Sequence, residues 1–301
     1  MRDGWRGIFT IAATPFDERG ALLYDELARH VDWIVRAGSH GVVWPVNHSE
    51  VSWLTREERF RGMAVVAEAV GGRVPYVAGV SGAWAGEAAA YTGEAAAIGA
   101  DAVIGILPQG FPAAHYSLVR DYYAAVSSAS DLPVFVQNQG APWPGLSAET
   151  VLRLAREVER VEYVKEEKPP QGRSAQELID LGGEVLRGVF TGAGCTWLMM
   201  EMARGVSGCM PGSPMPDICA KIWNLWHAGD MAVARDLQTR MTAYQTIWRG
   251  MPEGARKMVL VKRGILSTPF MRQGAASVRL DAVEDAELDG AIALLAADFA
   301  V

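Results

Sequence analysis

Cysteine and long apolar runs are scarce in this chain of 301 residues, and each scarcity argues against a class of protein. The three cysteines form no Cys-x-x-Cys pair, so we expect no disulfide framework and a reducing, cytoplasmic setting. No run is long and apolar enough to predict a signal peptide or a membrane span. Runs of basic residues are missing too, and the net charge of -7 argues against nucleic acid or an anionic membrane as a partner.

The motifs that usually mark a bound metal or cofactor are missing as well. The histidines show neither His-x-x-x-His spacing nor a paired cysteine, and they stand apart at His30, His40, His48, His115 and His227. The chain also lacks Gly-x-Gly-x-x-Gly and the phosphate-binding loop of nucleotide hydrolases. We therefore expect neither a metal nor a cofactor.

Short β-rich runs alternate with helical runs over the first two thirds of the chain. The predicted strands are 8–14, 41–46, 74–80, 102–107, 133–138, 161–165, 186–191 and 206–211. The predicted helices are 24–37, 55–70, 86–98, 115–128, 147–158, 174–181 and 195–204. Most strand runs are almost continuously apolar, which is typical of parallel strands covered on both faces. Eight such repeats without a flexible linker predict a (β/α)8 TIM barrel.

The last third of the chain has a different pattern, because it contains helical runs only. These are predicted at 217–228, 231–250, 253–266 and 284–299. A barrel does not need all of them, so we expect them to pack on its flank or at a subunit contact. The sequence therefore predicts one domain, with the barrel over 1–215 and a C-terminal helical extension over 216–301.

A barrel of this kind carries its chemistry at the carboxyl ends of its strands. The residues expected there are Asn47, His48, Ser49, Glu50, Gln109, Gln137, Asn138, Gln139, Lys165, Glu167, Thr191, Gly192 and Cys209. Lys165 stands out among them, because the chain has only five lysines against 23 arginines. An amine that is removed from water loses its proton far more readily than a guanidinium, and it can then attack a carbonyl. We therefore predict that Lys165 is a Schiff-base nucleophile.

The neighbours of Lys165 on the same strand divide by direction. Lys165 and Glu167 should point to one side of an extended strand, and Glu166 to the other. We predict Glu167 as the general base and Glu166 as a solvated or helix-facing charge. A structural salt bridge of Glu167 to Lys168 or to an arginine is the alternative. A nearby carboxylate favours the ammonium, so either Glu167 lies some distance from Lys165 or burial outweighs the attraction.

The turn after the second strand supplies further candidates. Asn47 and Ser49, with the backbone N–H groups of the turn, are predicted to bind the carboxylate of a small anion, although both residues also suit ordinary turns. His48 titrates near neutrality, so it is a candidate for acid–base chemistry or substrate contact, and it could instead face another subunit. Glu50 is expected to brace the neighbouring backbone.

Three further residues are expected in the same mouth. Gln137 is predicted to line the substrate pocket, either directly or by holding a water. Gly192 is predicted to allow close approach of the backbone to a ligand, the alternative being a turn glycine. Cys209 is predicted to lie near Lys165, the alternative being a small buried hydrophobe.

These residues resemble the dihydrodipicolinate synthase / N-acetylneuraminate lyase family of class I aldolase-type barrels, over nearly the whole chain. The segment 46–55 resembles the family motif Gly-Thr-Thr-Gly-Glu-Ser-x-x-Leu-Thr, and Val164-Lys165-Glu166 resembles its strand-six Ile-Lys-Glu. The resemblance implies a Schiff base between Lys165 and the C2 carbonyl of pyruvate or another 2-keto acid. It also implies a homotetramer.

The departures from the family pattern narrow the expectation. The proton-relaying tyrosine of strand five falls on Gln137, and the arginine that usually follows has no counterpart in 139–145. Two substrate-holding threonines are replaced by Asn47 and His48. Dihydrodipicolinate synthesis is therefore not expected. Asn47-x-Ser49-Glu50 and Tyr163-x-Lys165-x-Glu167 instead resemble the L-2-keto-3-deoxyarabonate dehydratase subgroup.

Three functions follow from these observations. The first is a Schiff-base lyase that dehydrates a 2-keto-3-deoxy sugar acid. The second is a carbon–carbon lyase that releases pyruvate, with Glu167, His48 or a water in place of the missing phenol. The third is a barrel that binds a 2-keto acid without turning it over. In all three the partner is a small 2-keto acid or sugar acid.

Overall fold

The computed structural model describes residues 4–108, 110–111, 115–139, 145–272, 274 and 279–300. Eight parallel strands form a closed barrel in chain order, which confirms the predicted TIM barrel. The strands are β1 (Gly7–Ile11), β2 (Gly41–Trp44), β3 (Tyr76–Gly79), β4 (Ala102–Gly105), β5 (Val134–Gln139), β6 (Val161–Glu167), β7 (Gly188–Thr191) and β8 (Gly208–Cys209). Two parts of the sequence-based expectation lie outside the described residues: Gln109, expected at a strand end, and residues 140–144, within the segment compared with the family's arginine.

Helices follow the strands as the apolar periodicity predicts. They are α1 (Tyr24–Arg36), α2 (Arg56–Val70), α3 (Ala85–Ala97), α4 (Tyr116–Ser128), α5 (Ala148–Glu157), α6 (Gln171–Gly182), α7 (Leu198–Met202), α8 (Pro216–Ala228), α9 (Met231–Arg249), α10 (Ala255–Lys262) and α11 (Ala282–Ala293). Local chemistry sets several of their ends. Thr55 and Glu58 form a capping box that starts α2, and Pro216 occupies the first turn of α8.

One predicted helix is much shorter than expected. The sequence predicts helix over 195–204, whereas α7 covers Leu198–Met202 only. A 3-10 turn at Ala193–Cys195 precedes it, and Ala193, Gly194 and Cys195 all have φ between 49° and 66°. A right-handed helix cannot include residues in this left-handed region, so it can begin only after Cys195.

The described residues group into two compact units. The first comprises the described parts of 1–9 and 75–210, and it includes β3 to β8. The second comprises the described parts of 10–74 and 211–301, with β2 and all four helices predicted for the last third of the chain. The predicted boundary between 215 and 216 stays a prediction. Within the described ranges, every helix is too short or too polar to cross a lipid bilayer.

An aromatic layer fills the barrel interior of the first unit. Phe135 and Tyr163 stack with ring centroids 4.4 Å apart, and Phe9 meets Phe190 edge-on at 5.0 Å. These rings come from four different strands, so they can meet only inside the closed sheet. Because side chains on one face of a strand recur every second residue, the next inward positions after Phe135 and Tyr163 are 137 and 165. The aromatic layer is therefore an apolar floor beneath Gln137 and Lys165.

Candidate active site

Lys165 and Glu167 form an ion pair near the carboxyl end of β6. Lys165 Nζ lies 3.0 Å from Glu167 Oε2, and the two side chains are 4% and 19% exposed. They share one side of the strand, as the alternation predicts. Of the two arrangements considered from the sequence, a distant Glu167 is wrong. The carboxylate is the immediate neighbour of the buried amine, and it keeps some access to solvent.

Gln137 joins this pair from the adjacent strand. The register of β5 and β6 places Gln137 beside Lys165, and Gln137 Nε2 donates a hydrogen bond of 2.8 Å to Glu167 Oε2. The ammonium and the amide therefore meet at the same carboxylate oxygen. Gln137, predicted to line a substrate pocket, also holds the carboxylate beside Lys165.

Gly192 makes room for the same carboxylate. A Cβ at Gly192 would overlap Glu167 Oε1 and crowd the Glu167 carboxyl carbon. Cys209 Sγ donates to Gly192 O at 3.2 Å, and Cys209 is a fully buried free thiol. Gly192 therefore leaves room for the Glu167 carboxylate, and its predicted close approach to a ligand stays a prediction. Cys209 fixes the backbone that leaves this room.

Glu166 corrects one sequence-based expectation. It points away from Lys165 and Glu167 as predicted, but it is 1% exposed, so the expectation of a solvated charge is wrong. Its Oε2 accepts a 2.7 Å hydrogen bond from Asn138 Nδ2, and its Oε1 accepts one of 2.7 Å from the Lys168 N–H. Burial raises the pKa of Glu166 to about 7, against the opposing effect of these hydrogen bonds.

A second buried carboxylate in this unit was not singled out from the sequence. Glu201 is fully buried on α7, where it accepts 2.7 Å hydrogen bonds from Thr191 Oγ1 and Gln171 Nε2. Burial raises its pKa to about 6. It joins the end of β7 to the beginning of α6. The available signal was a glutamate inside the apolar run 197–202, which an amphipathic surface helix would not place there.

The turn after β2 belongs to the second unit and is built around Ser49. The Ser49 hydroxyl donates to Ala12 O at 2.7 Å, and Ser49 O accepts from Thr14 Oγ1 at 2.6 Å. Ser49 is fully buried, whereas Asn47 is exposed. These bonds are the turn chemistry considered as the alternative for Ser49. The substrate-binding roles of Asn47, His48 and Ser49 stay predictions.

His48 lies between two N–H donors in the same unit. Its Nδ1 is 3.4 Å from Arg256 Nη1, and its Nε2 is 3.4 Å from the Ser213 N–H. The ring packs so closely on Gly212 that a Cβ there would overlap it. A neutral imidazole can accept from one of these donors, whereas an imidazolium would turn N–H groups towards both.

Glu50 forms a buried ion pair with Lys257 in the second unit. The two charged groups are 2.6 Å apart, and Lys257 Nζ also donates to Phe270 O at 2.8 Å. Burial lowers the pKa of Lys257. Glu50 itself has φ 58°, in the left-handed region. The expectation that Glu50 braces the neighbouring backbone stays a prediction. Its pairing with Lys257 was missed because nothing local to 257 points to a distant partner.

The chain matches the model of the Dihydrodipicolinate synthetase family over residues 4–286. It is 34% identical to the L-2-keto-3-deoxyarabonate dehydratase of Azospirillum brasilense over 236 residues, which are 76% of each chain. It is 30% identical to the 4-hydroxy-tetrahydrodipicolinate synthase of Gluconacetobacter diazotrophicus over 250 residues, 79% of this chain and 80% of the relative.

A solved structure agrees in fold. The dihydrodipicolinate synthase from Rhodopseudomonas palustris superposes with a TM-score of 0.86 at 23% identity, covering 96% of this chain and 97% of the other. The two curated relatives and the match over 4–286 extend this agreement to sequence. The chain therefore belongs to the dihydrodipicolinate synthetase family and is a lyase of that family.

Proposed function

We propose that this protein is a Schiff-base-forming lyase that dehydrates a 2-keto-3-deoxy sugar acid through Lys165 and Glu167. The observation that carries the proposal is the buried pair, with Lys165 Nζ 3.0 Å from Glu167 Oε2 near the carboxyl end of β6. The dehydratase of Azospirillum brasilense, 34% identical to this chain, supports the choice of reaction. The apolar aromatic layer beneath the pair keeps water from the amine on that side.

The first stage is formation of the Schiff base. Glu167 takes a proton from the Lys165 ammonium, which leaves a neutral amine facing the substrate. The amine attacks C2 of the 2-keto acid, and the resulting hydroxyl leaves as water with the proton that Glu167 returns. An iminium then links Lys165 Nζ to C2, and one water has been released.

The second stage is the elimination. The iminium draws electrons from C3, so the Glu167 carboxylate can remove a C3 proton and leave an enamine. The C4 hydroxyl departs as water with the proton that Glu167 now carries, and the double bonds shift to a conjugated iminium. Attack of water on C2 releases the dehydrated keto acid and restores the Lys165 amine. The net change is the loss of one water from the substrate.

Gln137 favours dehydration over carbon–carbon cleavage. Retro-aldol cleavage must remove the proton of the C4 hydroxyl, and a carboxamide cannot take up that proton. Dehydration needs one group that removes the C3 proton and then donates it to the departing C4 hydroxyl, which a single carboxylate can do. Gln137 contributes by holding Glu167 at 2.8 Å. It is a positioning residue in this scheme.

The test of the Schiff base is incubation with pyruvate and borohydride, followed by mass spectrometry of the digested protein. We expect one reduced adduct, on Lys165. The matched control is Lys262→Arg. Lys262 pairs with Asp285 and Asp289 in the second unit. Absence of any adduct on the folded protein would refute the iminium scheme.

Product analysis then separates dehydration from the two other functions. With a panel of 2-keto-3-deoxy sugar acids, we expect a product that retains every carbon, as an α-ketoglutarate semialdehyde does. Release of pyruvate, detected with lactate dehydrogenase, would establish cleavage instead. An adduct without turnover of any sugar acid would establish a binding protein. The predicted homotetramer can be measured on the same samples by light scattering.

A further inference from the structure

The outer face of β6 carries a buried carboxylate that the proposed reaction does not use. Glu166 lies between Lys165 and Glu167 in the chain but faces the opposite way, and it is 1% exposed. Both its oxygens accept hydrogen bonds of 2.7 Å, from Asn138 Nδ2 and from the Lys168 N–H. A buried carboxylate is costly, and apolar residues would serve packing better. We therefore ask what a buried Glu166 contributes beside the proposed catalytic residues.

Asn138 extends this contact across two strands and beyond. The register pairs Asn138 with Glu166 and, on the opposite face, Gln137 with Lys165. The Asn138 amide also donates to Leu146 O at 3.0 Å and accepts from the Leu146 N–H at 2.7 Å. Lys168 Nζ donates to the same Leu146 O at 3.3 Å. We call Asn138, Leu146, Glu166 and Lys168 the strand-end network.

Both N–H groups of Asn138, at the centre of the network, are engaged. Asn138 uses its carbonyl oxygen for the Leu146 N–H and divides its two N–H groups between Leu146 O and Glu166. A strand that rolls about its axis moves the residues of both faces together, because they share one backbone. Fixing Glu166 from outside therefore fixes the direction in which Lys165 and Glu167 project inside.

We propose that Glu166 and Asn138 are positioning residues that keep Gln137, Lys165 and Glu167 within hydrogen-bonding distance of one another. This inference rests on the proposed function, since it concerns the same amine and the same general base. The distances it explains are the 3.0 Å from Lys165 to Glu167 and the 2.8 Å from Gln137 to Glu167. Raised by burial to about 7, the pKa of Glu166 agrees with a carboxylate retained at some cost.

The test uses pyruvate and needs no knowledge of the true substrate. Borohydride trapping reports the Schiff base alone, whereas exchange of the pyruvate methyl protons with D2O, followed by NMR, also requires removal of a C3 proton by the base. In Glu166→Gln, the NH2 group of the new amide must face one of the two N–H donors, either Asn138 Nδ2 or the Lys168 N–H. One hydrogen bond is therefore lost in either orientation of the amide. We expect the kcat of exchange to fall about 10- to 100-fold, as for a displaced catalytic group, with KM for pyruvate and trapping at Lys165 retained.

Two further variants keep the test decisive. Glu162→Gln is the matched control, because Glu162 lies on the same outer face of β6 but pairs with Arg187 at 2.9 Å, away from the network. It should leave exchange unchanged. Asn138→Ala removes the partner amide on the neighbouring strand, so it should lower the exchange rate by a similar factor.

Each outcome separates this inference from the proposed function. Exchange at the wild-type rate in folded Glu166→Gln overturns the positioning role. If Glu166→Gln does not fold, Asn138→Ala takes its place, with the same loss of exchange expected and wild-type exchange again contradicting the role. Wild-type protein that shows neither adduct nor exchange overturns the proposed function itself, and the positioning role fails with it.

Discussion

Two buried lysine–glutamate pairs, one in each unit, differ in what surrounds them. Lys257 and Glu50 lie 2.6 Å apart with side chains only 5% and 2% exposed. Lys257 also has the Phe270 carbonyl at 2.8 Å and the Phe16 ring at 4.7 Å. A carboxylate, a carbonyl and an aromatic face thus surround this amine, as a buried charged group requires.

Lys165 and Glu167 are paired less completely. Glu167 is 19% exposed, and within the described residues it is the single charged partner of Lys165. The same carboxylate oxygen also accepts from Gln137. A proton can pass from such an ammonium to a carboxylate that remains accessible, whereas the Glu50 carboxylate of the other pair is only 2% exposed. The comparison shows that a buried lysine indicates a reactive site only when its carboxylate partner is accessible to solvent.

The largest expected effect is at Lys165. Lys165→Arg keeps a positive charge beside Glu167 but cannot lose its proton at neutral pH, so activity should fall more than about 10,000-fold and borohydride trapping should disappear. Lys257→Arg should leave trapping at Lys165 intact in whatever fraction folds. Trapping that survives Lys165→Arg would contradict the assignment of Lys165 as the nucleophile.

Replacing the general base should separate two steps at one site. In Glu167→Gln we expect the exchange of pyruvate methyl protons to fall about 100- to 10,000-fold, because the amide cannot accept the C3 proton. The adduct at Lys165 should still form when trapping is allowed more time. Glu50→Gln in the other pair should leave exchange by the folded protein unaffected. Equal losses in the two variants would contradict the distinction between the pairs.

Breaking the structural pair should lower stability and spare the chemistry. Lys257→Met leaves Glu50 buried without its cation, so the free energy of unfolding should drop by about 3–5 kcal/mol. Urea unfolding followed by circular dichroism measures the change. The double variant Glu50→Leu with Lys257→Met should recover much of it, since neither charge then remains. A double variant as unstable as the single one would contradict this account.

Adding a methyl group at Gly192 should disturb the pair of Lys165 and Glu167 although neither charged residue is mutated. In Gly192→Ala the new Cβ overlaps Glu167 Oε1, so the carboxylate must move and exchange should fall about 10- to 100-fold. Gly93→Ala adds the same group within α3, where nothing lies within 4 Å of it, and should not lower the exchange rate. Exchange at the wild-type rate in Gly192→Ala would mean that Glu167 needs no exact placement.

The smallest expected effect concerns pH and the buried Glu201. Below about 4.5 both folded and unfolded states bind the Glu201 proton, and between the usual value of 4.5 and the folded pKa of about 6 only the folded state keeps it. Stability therefore decreases as pH rises through this window, because the folded-state pKa is raised. Relative to wild type, Glu201→Gln should gain about 2 kcal/mol between pH 4 and pH 7. Urea unfolding of both proteins at both pH values measures this gain. A stability difference that does not change with pH would contradict the raised pKa of Glu201.

The elements that the sequence predicts well are those with strong local signals. Every predicted strand overlaps an observed one, because apolar runs of five to seven residues bounded by turn residues have few alternatives. The helix predicted over 195–204 was wrong at its start, because left-handed φ values at Ala193 and Cys195 are unusual for residues other than glycine and leave no local signature.

Residues of the candidate site divide in the same way. The alternation along β6 was enough to place Lys165 and Glu167 together, since it depends on the backbone alone. The burial of Glu166 was not predictable, because it depends on Asn138 and on Leu146, which lies 20 positions earlier in the chain. A glutamate is usually exposed to solvent, but Asn138 on the neighbouring strand provides the hydrogen bond that lets Glu166 be buried.

The sequence by itself determined the order of strands and helices and the position of Lys165 near a strand end. These follow from local periodicity and residue identity. Only the tertiary structure decided that Glu167 lies 3.0 Å from the amine, that Gly192 leaves space for its carboxylate, and that Lys257 is a structural counter-ion. Such distances depend on strand register and on the packing of residues far apart in the chain, which no local pattern encodes.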